Sequence, residues 1–445
     1  MRRVRTRVTH RCGACGAPSL KWAGRCPSCQ AWNTLVETSD PVAGGAVPVP
    51  LSAAAVKVEP VRPTGIGEVD RVLGGGLTPG SSTLLFGEPG VGKSTLALGV
   101  LRQLARCGVP VILIAVEESA SQVAARARRL GPVPEHLAVV ATTSVEQAER
   151  VIATYHPALC VVDSVSAMRD DSLPGATGSV TQVRQVAERL CAAAREGASA
   201  LVLVGHVTKD GDLAGPRALE HLVDTVLRVE GDRVGPSRVL RALKHRFGST
   251  GEVGLFTLGE DGMREDPEGT GAGAPPVLNV PGVVWTATLD GRRAWPVEVQ
   301  ALVTAAEGSP RRVAHQVSGP RLSLMLAVLE ARCGAGVSGS DVFATTAGAL
   351  PANEPAVDAA LAVAVASARS GGRVARDVAV VGEVGLAGEL RPVTGLDRRL
   401  DALRRRGVTR VLAPVGAEGL VPGVRVEGYA RLDEALAALG LVGER

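Results

Sequence analysis

The chain has 445 residues, 45% of them hydrophobic and 21% charged, and is too long for one ordinary hydrophobic core. Its formal net charge of +4 at pH 7 permits an anionic partner but excludes the strongly basic class of protein that coats DNA. It has no run of about 18 apolar residues and no secretory h-region, so we expect a cytoplasmic protein without a membrane partner.

The first predicted module, residues 1–37, contains two Cys-x-x-Cys pairs separated by ten residues. Four thiolates at this spacing close a tetrahedral site, and no His or carboxylate replaces any of them, so we predict a closed structural Zn²⁺ site. Every charged residue before Glu37 is cationic, which fits either a solvated tail or a nucleic-acid contact. The sequence leaves open whether the module binds DNA or a protein. The predicted zinc ligands are Cys12, Cys15, Cys26 and Cys29.

Two stretches rich in Gly, Pro and Ala divide the remainder of the chain. Residues 38–60 and 261–276 lack helical or strand periodicity and are predicted linkers. They bound a middle domain over residues 61–260 and a C-terminal domain over residues 277–445.

In the middle domain, short apolar runs alternate with helical patterns. This alternation predicts an α/β fold in which helices cover both faces of a parallel sheet. Ligands of such sheets bind at the carboxyl ends of the strands, so the polar residues that follow each strand are expected to converge on one site. The predicted strands are Thr83–Phe86, Val111–Val116, Leu159–Val162 and Leu201–Val204, and the predicted helices span residues 93–107, 119–130, 145–154 and 179–196.

The first of these strands is followed by a complete phosphate-binding loop. Its glycines let backbone N–H groups face phosphate oxygens at the N-terminus of the next helix. Lys93 is expected to reach the β- and γ-phosphates, and the Ser94 hydroxyl is expected to hold Mg²⁺. The expected cofactors are therefore ATP and Mg²⁺. The loop consists of Gly87, Glu88, Pro89, Gly90, Val91, Gly92, Lys93, Ser94 and Thr95.

The other strand ends supply candidates for the rest of an ATPase site. Asp163 occupies the Walker B position, where a carboxylate orients Mg²⁺. Glu117 and Glu118 end the neighbouring strand, and one of them is predicted to activate the attacking water, since strand geometry lets only one point into the cleft. His206 follows the fourth strand and is a candidate sensor of the γ-phosphate, with a purely structural histidine as the alternative.

These motifs resemble the bacterial RadA (Sms) family of DNA repair proteins, relatives of the RecA recombinase. The resemblance spans nearly the whole chain. It implies a RecA-like P-loop ATPase core with a parallel sheet, an N-terminal four-cysteine zinc finger and a C-terminal α/β domain similar to that of Lon protease. It also implies that Glu117 is the catalytic glutamate. The stretches that carry it are residues 21–34, 87–95, 163–164, 178–184 and 205–217.

The stretch Lys-Asn-Arg-Phe-Gly, a hallmark of this family, is similar to residues 244–248, where His245 replaces the asparagine. By analogy with RecA-like motors, the resemblance implies that Lys244 and Arg246 reach a neighbouring subunit's ATP or couple ATP turnover to DNA movement. Both cations are retained, so this role stays available to the chain.

The C-terminal domain resembles the Lon protease domain through residues 354–358 and 382–392. Lon-type proteolysis needs a serine activated by a lysine. The corresponding positions are Ala356 and Asp397, so we do not expect a protease. Its arginines are candidates for a surface that lines DNA, with an ordinary solvated helix face as the alternative: Arg391, Arg398, Arg399, Arg404, Arg405, Arg406 and Arg410.

The resemblance implies a DNA-dependent ATPase that processes recombination intermediates in DNA repair. Such an enzyme would promote branch migration or strand-exchange extension with RecA, as a ring-shaped, hexameric motor with DNA helicase activity. Its expected partners are single-stranded and branched DNA, RecA and further copies of the chain. No aromatic stacking platform is evident, so binding to phosphates is expected. An ATP-gated scaffold or nucleotide switch without motor activity is the alternative, and a Lon-like protease is disfavoured by the missing dyad.

Overall fold

The structure, a computed structural model, describes residues 9–15, 17–19, 21–38, 60–205, 219–231, 235–267, 279–347 and 352–442. The chain forms two compact units, Met1–Val58 and Glu59–Arg445. Among the helices of the described ranges, none combines the length and apolar character that a bilayer crossing requires.

The first unit is built on a three-stranded antiparallel sheet with β1 (Thr9–Cys12) between β2 (Pro18–Ser19) and β3 (Leu35–Thr38). Its buried hydrophobic cluster consists of Cys12, Cys26 and Leu35. Such a cluster is far too small to stabilise an independent fold, so this unit depends on another source of stability. Most of the predicted linker that follows, residues 39–59, lies outside the described residues.

The described residues of the first half of the second unit form nine strands and five α-helices. The strands are β4 (Ser82–Gly87), β5 (Val111–Ala115), β6 (Leu137–Ala141), β7 (Leu159–Asp163), β8 (Ala200–Val204), β9 (Thr225–Gly231), β10 (Ser237–His245), β11 (Val253–Gly259) and β12 (Gly262–Glu265). The helices are α1 (Gly67–Val72), α2 (Lys93–Arg106), α3 (Ala120–Arg129), α4 (Val145–Tyr155) and α5 (Val180–Glu196).

These strands form one sheet in the order β12-β11-β10-β9-β4-β8-β7-β5-β6. Strands β4 to β8 are parallel to all of their neighbours, and β9 is parallel to β4. Helices α1, α2 and α3 pack on one face of the sheet over one apolar cluster. Helices α4 and α5 pack on the other face over a second apolar cluster. The predicted α/β fold is thus confirmed, and its four strands and four helices lie within one residue of the predicted bounds.

The sheet is not parallel throughout, because β10, β11 and β12 extend it as an antiparallel edge. Strand β12 falls within residues 261–276, which were predicted to be a linker. Gly259 pairs with Gly262, whose φ of 105° belongs to the turn between β11 and β12. Gly262, one of the glycines that suggested a linker, therefore begins the second strand of a hairpin, because φ > 0 is accessible to glycine without steric cost. Residues 268–278 lie outside the described residues.

The second half of this unit is a further α/β domain. Its strands are β13 (Val283–Asp290), β14 (Arg293–Ala305), β15 (Arg312–His315), β16 (Ser340–Ala347), β17 (Val378–Val380), β18 (Glu383–Val384), β19 (Leu390–Arg391), β20 (Arg410–Pro414) and β21 (Arg425–Tyr429). Its helices are α6 (Gly319–Val328), α7 (Asp358–Ser370), α8 (Leu396–Arg405) and α9 (Leu432–Ala438). Seven strands form a mixed sheet in the order β15-β16-β14-β13-β17-β20-β21, and β18 pairs with β19.

The two halves of the second unit meet at a buried polar junction. Glu68 in α1 is only 2% exposed and accepts a hydrogen bond from the guanidinium of Arg293 in β14. Arg293 also stacks on Trp295, with Cζ 3.8 Å from the ring centroid. Beside it, Arg241 of β10 forms a two-point ion pair with Asp290 at the end of β13. These contacts fix the C-terminal half to the antiparallel edge of the first sheet.

Candidate functional site

The phosphate-binding loop connects β4 to α2, as the sequence predicts. Lys93 opens α2 and is buried, and its Nζ donates to the carbonyl oxygens of Gly87 and Glu88, at 2.9 Å in each case. Burial lowers the pKa of Lys93, while the charge of nearby Asp163 acts in the opposite direction. The ammonium group therefore lies inside the loop, where it can exchange carbonyl contacts for phosphate contacts.

The loop backbone is shaped by one glycine and held by one arginine. Gly92 has a φ of 104°, and a Cβ there would lie 2.6 Å from Cε of Met263 in β12. Arg238 of β10 is buried and its Nε donates to the carbonyl oxygen of Val91 at 3.0 Å. Arg238 was not predicted from the sequence, because no local pattern distinguishes it from Arg241 and Lys244 of the same strand.

A cleft beside the loop brings together polar side chains from two strand ends and from helix α2. Asp163 ends β7, and Glu117 and Glu118 follow β5. Ser94 reaches the same cleft from α2. Carboxylate and hydroxyl oxygens are the donors that Mg²⁺ prefers, so Ser94 and Asp163 fit the predicted metal. The cleft is lined by Ser94, Leu113, Ala115, Glu117, Glu118, Val123, Arg126 and Asp163.

The two adjacent glutamates have different partners. Glu117 accepts a hydrogen bond from the hydroxyl of Ser164, which follows Asp163. Glu118 instead lies 3.1 Å from Nη1 of Arg126 in α3. Sequence reasoning missed Arg126, yet it stands three residues after the buried Val123 and so shares the inward face of the helix. One carboxylate is thus held by a neutral hydroxyl group and the other by a cation.

Lys244 and Arg246 are not brought to the loop of their own chain. Strand pairing aligns Lys244 with Val226 of β9, whereas Gly87 of the loop lies beside Val229. The pairing therefore separates Lys244 from the loop by three residues, or about 10 Å, along the strand direction. Lys244 lies toward the opposite ends of these strands. A role at a nucleotide would have to be exerted on another copy of the chain.

The two cations at this edge differ in their surroundings. Nζ of Lys244 donates to the carbonyl oxygens of Glu220 at 2.6 Å and Val223 at 2.8 Å, so it stabilises the local backbone. Arg246 is exposed, and its guanidinium lies 3.3 Å from Asp224. Arg246 is therefore the cation that is freer to contact another molecule.

His245, which departs from the family stretch, bridges two elements at the same edge. Its Nδ1 lies 2.9 Å from Oγ1 of Thr225, and its Nε2 lies 3.1 Å from the carbonyl oxygen of Leu73. The imidazole therefore connects β9 to the end of α1. His206, the candidate γ-phosphate sensor, lies outside the described residues.

The four predicted zinc ligands converge in the first unit. Their Sγ atoms all lie within 4.8 Å of one another, with Cys12 and Cys29 at 3.7 Å and Cys15 and Cys26 also at 3.7 Å. Zinc–sulfur bonds of about 2.3 Å in a tetrahedron separate the sulfur atoms by about 3.8 Å. The thiols are therefore spaced for one Zn²⁺ ion, which would stabilise a unit that lacks a sufficient hydrophobic core.

The zinc unit also exposes two indole rings. Trp22 and Trp32 are 61% and 70% exposed, and the guanidinium of Arg25 lies 5.5 Å from the centroid of the Trp32 ring. The two rings are exposed, but exposure alone does not test the expectation that the chain has no aromatic stacking platform. Only the structure distinguishes these indoles from buried ones, because a tryptophan is usually highly buried.

An ion pair flanks the two positions that correspond to the Lon dyad. Ala356, at the serine position, is 2% exposed, and Asp397, at the lysine position, lies in the first turn of α8. Arg399 binds both carboxylate oxygens of Glu354 at 2.7 Å. Its guanidinium also donates to the carbonyl oxygen of Ala287 at 2.6 Å. No nucleophile–base pair exists at these two positions.

Replacing Arg399 with methionine is expected to destabilise the second unit by about 3–5 kcal/mol, because the Glu354 carboxylate would remain largely buried without its partner. Lower thermal and urea unfolding midpoints would show this loss. Arg391→Met is the matched control, since this arginine is exposed and its pairing with Glu389 is worth about 0–1 kcal/mol. Adding Glu354→Gln to Arg399→Met should recover part of the loss, and equal effects of the two arginine substitutions would contradict the prediction.

The arginines predicted to line DNA are mostly neutralised within the domain. Arg399 faces inward because Leu400 and Leu403 on the same helix also pack into the core, which corrects its expected position on an exposed surface. Of the others, Arg398 donates to a backbone carbonyl and Arg406 lies over the Trp285 ring. The remaining four are paired with acids: Arg391 with Glu383 and Glu389, Arg404 and Arg405 with Asp401, and Arg410 with Glu427.

Three parts of the chain match known sequence families. Residues 62–138 match the family described as ATPase: KaiC, and residues 10–37 match the rubredoxin metal binding domain. Residues 340–424 match the Lon protease (S16) C-terminal proteolytic domain. The three matches include the phosphate-binding loop, the four-cysteine site and the region that contains Ala356 and Asp397.

Curated relatives match the chain over nearly its full length. DNA repair protein RadA of Mycolicibacterium smegmatis is 42% identical over 439 residues, which cover 94% of this chain and 94% of that protein. The protein of the same name from Pseudomonas aeruginosa is 42% identical over 443 residues, covering 96% and 98% of the two chains. The Bacillus subtilis protein is 38% identical over 457 residues, covering 97% and 98%.

Proposed function

This chain belongs to the RadA family of DNA repair proteins, and we propose on that premise that it is a DNA-dependent ATPase that processes recombination intermediates. The observation that supports ATP hydrolysis most directly is the convergence of Lys93, Ser94, Asp163 and Glu117 at one edge of the sheet. These side chains come from three separate elements, and no common structural need of the fold explains why all of them are polar.

Each group in this cleft has a distinct task in the proposed reaction. Lys93 neutralises charge on the β- and γ-phosphates, and the loop N–H groups hold their oxygens. Mg²⁺, held by Ser94 and Asp163, supplies further neutralisation at the phosphate oxygens when it is bound. Glu117 accepts a proton from the attacking water, and the hydrogen bond from Ser164 fixes the direction of its carboxylate.

Action on DNA is proposed from the family and from the cationic, aromatic surface of the zinc unit. In this proposal the ATPase binds single-stranded and branched DNA, works with RecA in branch migration or strand-exchange extension, and assembles as a hexameric ring with helicase activity. The position of Lys244 and Arg246 away from the loop of their own chain supports an arrangement in which neighbouring subunits complete each site.

The test is the rate of ATP hydrolysis with and without single-stranded DNA, combined with particle size in the presence of nucleotide. We expect DNA to increase turnover and the protein to elute as a multimer. Binding to DNA should weaken steeply with salt, because phosphate contacts release counterions. Turnover that is indifferent to DNA would exclude the motor, and tight ATP binding with negligible turnover would identify a nucleotide switch instead.

Arg246→Ala is expected to reduce DNA-stimulated turnover by roughly 10²-fold or more, the scale of arginines supplied from a neighbouring subunit. Because Arg246 is exposed and has only one acidic partner among the described residues, ATP binding and thermal stability should change little. Mixing Arg246→Ala with Lys93→Ala subunits should restore partial activity, since some interfaces would then combine an intact loop with an intact Arg246. An inactive mixture, shown to contain both variants in one particle, would contradict a role between subunits.

A further inference from the structure

Arg126 occupies an unusual position in the nucleotide cleft. Its guanidinium lies between two acids, with Nη1 3.1 Å from Oε1 of Glu118 and Nη2 4.0 Å from Oδ2 of Asp163. The side chain is 20% exposed and lines the same cleft as Ser94. Arg126 therefore places a fixed positive charge next to the carboxylate proposed to hold the metal.

The present partners of Arg126 leave it available for exchange. Glu118 is 41% exposed, and an ion pair so accessible to water is worth about 0–1 kcal/mol. The contact with Asp163 is at the outer limit for an ion pair. The buried Nε of Arg126 has no hydrogen-bond partner among the described residues. The guanidinium thus has one N–H donor, at Nε, without an acceptor among the described residues. Its ion pair with Glu118 can break at little cost in free energy.

Charge in the cleft changes when nucleotide enters. A cation held by Asp163 would offset the acid that now faces Arg126, so the guanidinium would then have excess positive charge. ATP carries one more phosphate group than ADP, and a planar guanidinium matches phosphate oxygens with two parallel hydrogen bonds. The γ-phosphate is therefore the group that would attract Arg126 away from Glu118 most strongly.

The geometry points to Arg126 as the residue by which this site distinguishes ATP from ADP. Arg126 exchanges its ion pair with Glu118 for the γ-phosphate when ATP binds, and returns to Glu118 when the γ-phosphate leaves. The inference rests on the proposed ATPase function of the same cleft. It also assigns different roles to the two adjacent glutamates. Glu118 holds Arg126 in the ADP-bound and empty states, and Glu117 activates water.

The test compares the affinities of the full-length protein for the β,γ-imido analogue of ATP and for ADP, both with Mg²⁺, by titration calorimetry. Arg126→Gln should weaken binding of the analogue roughly 10- to 100-fold, the loss expected for a charge-assisted hydrogen bond, and leave ADP affinity within about twofold. Arg129→Gln is the matched control, because it removes the same charge from an exposed position on the same helix and should change neither affinity.

A second variant tests the resting partner. Glu118→Gln removes the acid that competes for Arg126, so the analogue should bind equally well or slightly more tightly while ADP affinity is unchanged. Equal weakening of both nucleotides in Arg126→Gln, or no weakening of either, would overturn the inference. Failure of the wild-type protein to bind either nucleotide would instead refute the ATPase proposal, so the two failures are distinguishable.

Discussion

Lys93→Ala is expected to abolish ATP turnover, with a loss of at least about 10²-fold in rate and a marked loss of nucleotide affinity. The ammonium of Lys93 lies inside the loop, in contact with Gly87 and Glu88, and no lysine is among the described residues that line the adjacent cleft, so none could replace it. Removing a preorganised cation from a site where phosphate charge develops typically costs several kcal/mol of transition-state stabilisation. Steady-state hydrolysis and binding of a fluorescent ATP analogue would measure both losses.

Lys244→Ala provides the matched control for this substitution. Both lysines donate to two backbone carbonyl oxygens, so both alanine variants remove the same number of structural hydrogen bonds. Lys244 lies away from the loop, and its loss should leave ATP binding largely intact while impairing DNA-stimulated turnover. Equal loss of ATP binding in the two variants would show that the proposed placement of Lys244 between subunits is wrong.

Cys26→Ser is expected to unfold the zinc unit and leave the ATPase domain folded. Among the described residues of the unit the buried cluster contains only Cys12, Cys26 and Leu35, so we expect most of the unit's stability to come from the metal. Structural zinc sites in small fingers supply on the order of 10 kcal/mol, and loss of one thiolate removes much of that free energy. Zinc content, measured with a chelating dye, and proteolysis of the N-terminal residues would report the change.

A cysteine outside the zinc site supplies the control for that experiment. Cys107→Ser changes an exposed thiol at the end of α2 and should alter neither zinc content nor proteolysis. ATP turnover measured without DNA should remain near wild type in both variants. A collapse of basal turnover in Cys26→Ser would show that the zinc unit is required for folding of the ATPase domain.

The parts of the fold that sequence alone predicted are those with a strong local signal. Strands such as Val111–Ala115 and Leu159–Asp163 are buried on both sides and therefore appear as continuous apolar runs ended by polar residues. Strand β10 was not predicted, because it interrupts its apolar pattern with Arg238, Arg241 and Lys244. Each of these cations has a partner far away in the sequence, which no local pattern reveals.

In the candidate site, too, the sequence alone does not predict the contacts of single side chains that depend on distant residues. The loop and Asp163 were identifiable from the sequence because each directly follows a strand, where it can bind phosphate or metal. The choice between Glu117 and Glu118 depends on Ser164 and Arg126, which come from different elements. The inward position of Arg399 likewise depends on Glu354, 45 residues earlier in the chain.

The burial of Ala356 limits what placing a Lon-type dyad in this chain would achieve. Restoring the chemistry with Ala356→Ser and Asp397→Lys would supply a hydroxyl and an amine, but the hydroxyl would be enclosed where Ala356 is now 2% exposed. Access of a peptide bond to that hydroxyl would require the surrounding backbone to open, and Arg399 holds this backbone by linking Glu354, two residues before Ala356, to the carbonyl oxygen of Ala287. The Glu354–Arg399 pair therefore acts as an internal brace of the C-terminal domain, two residues away in sequence from each of the two dyad positions.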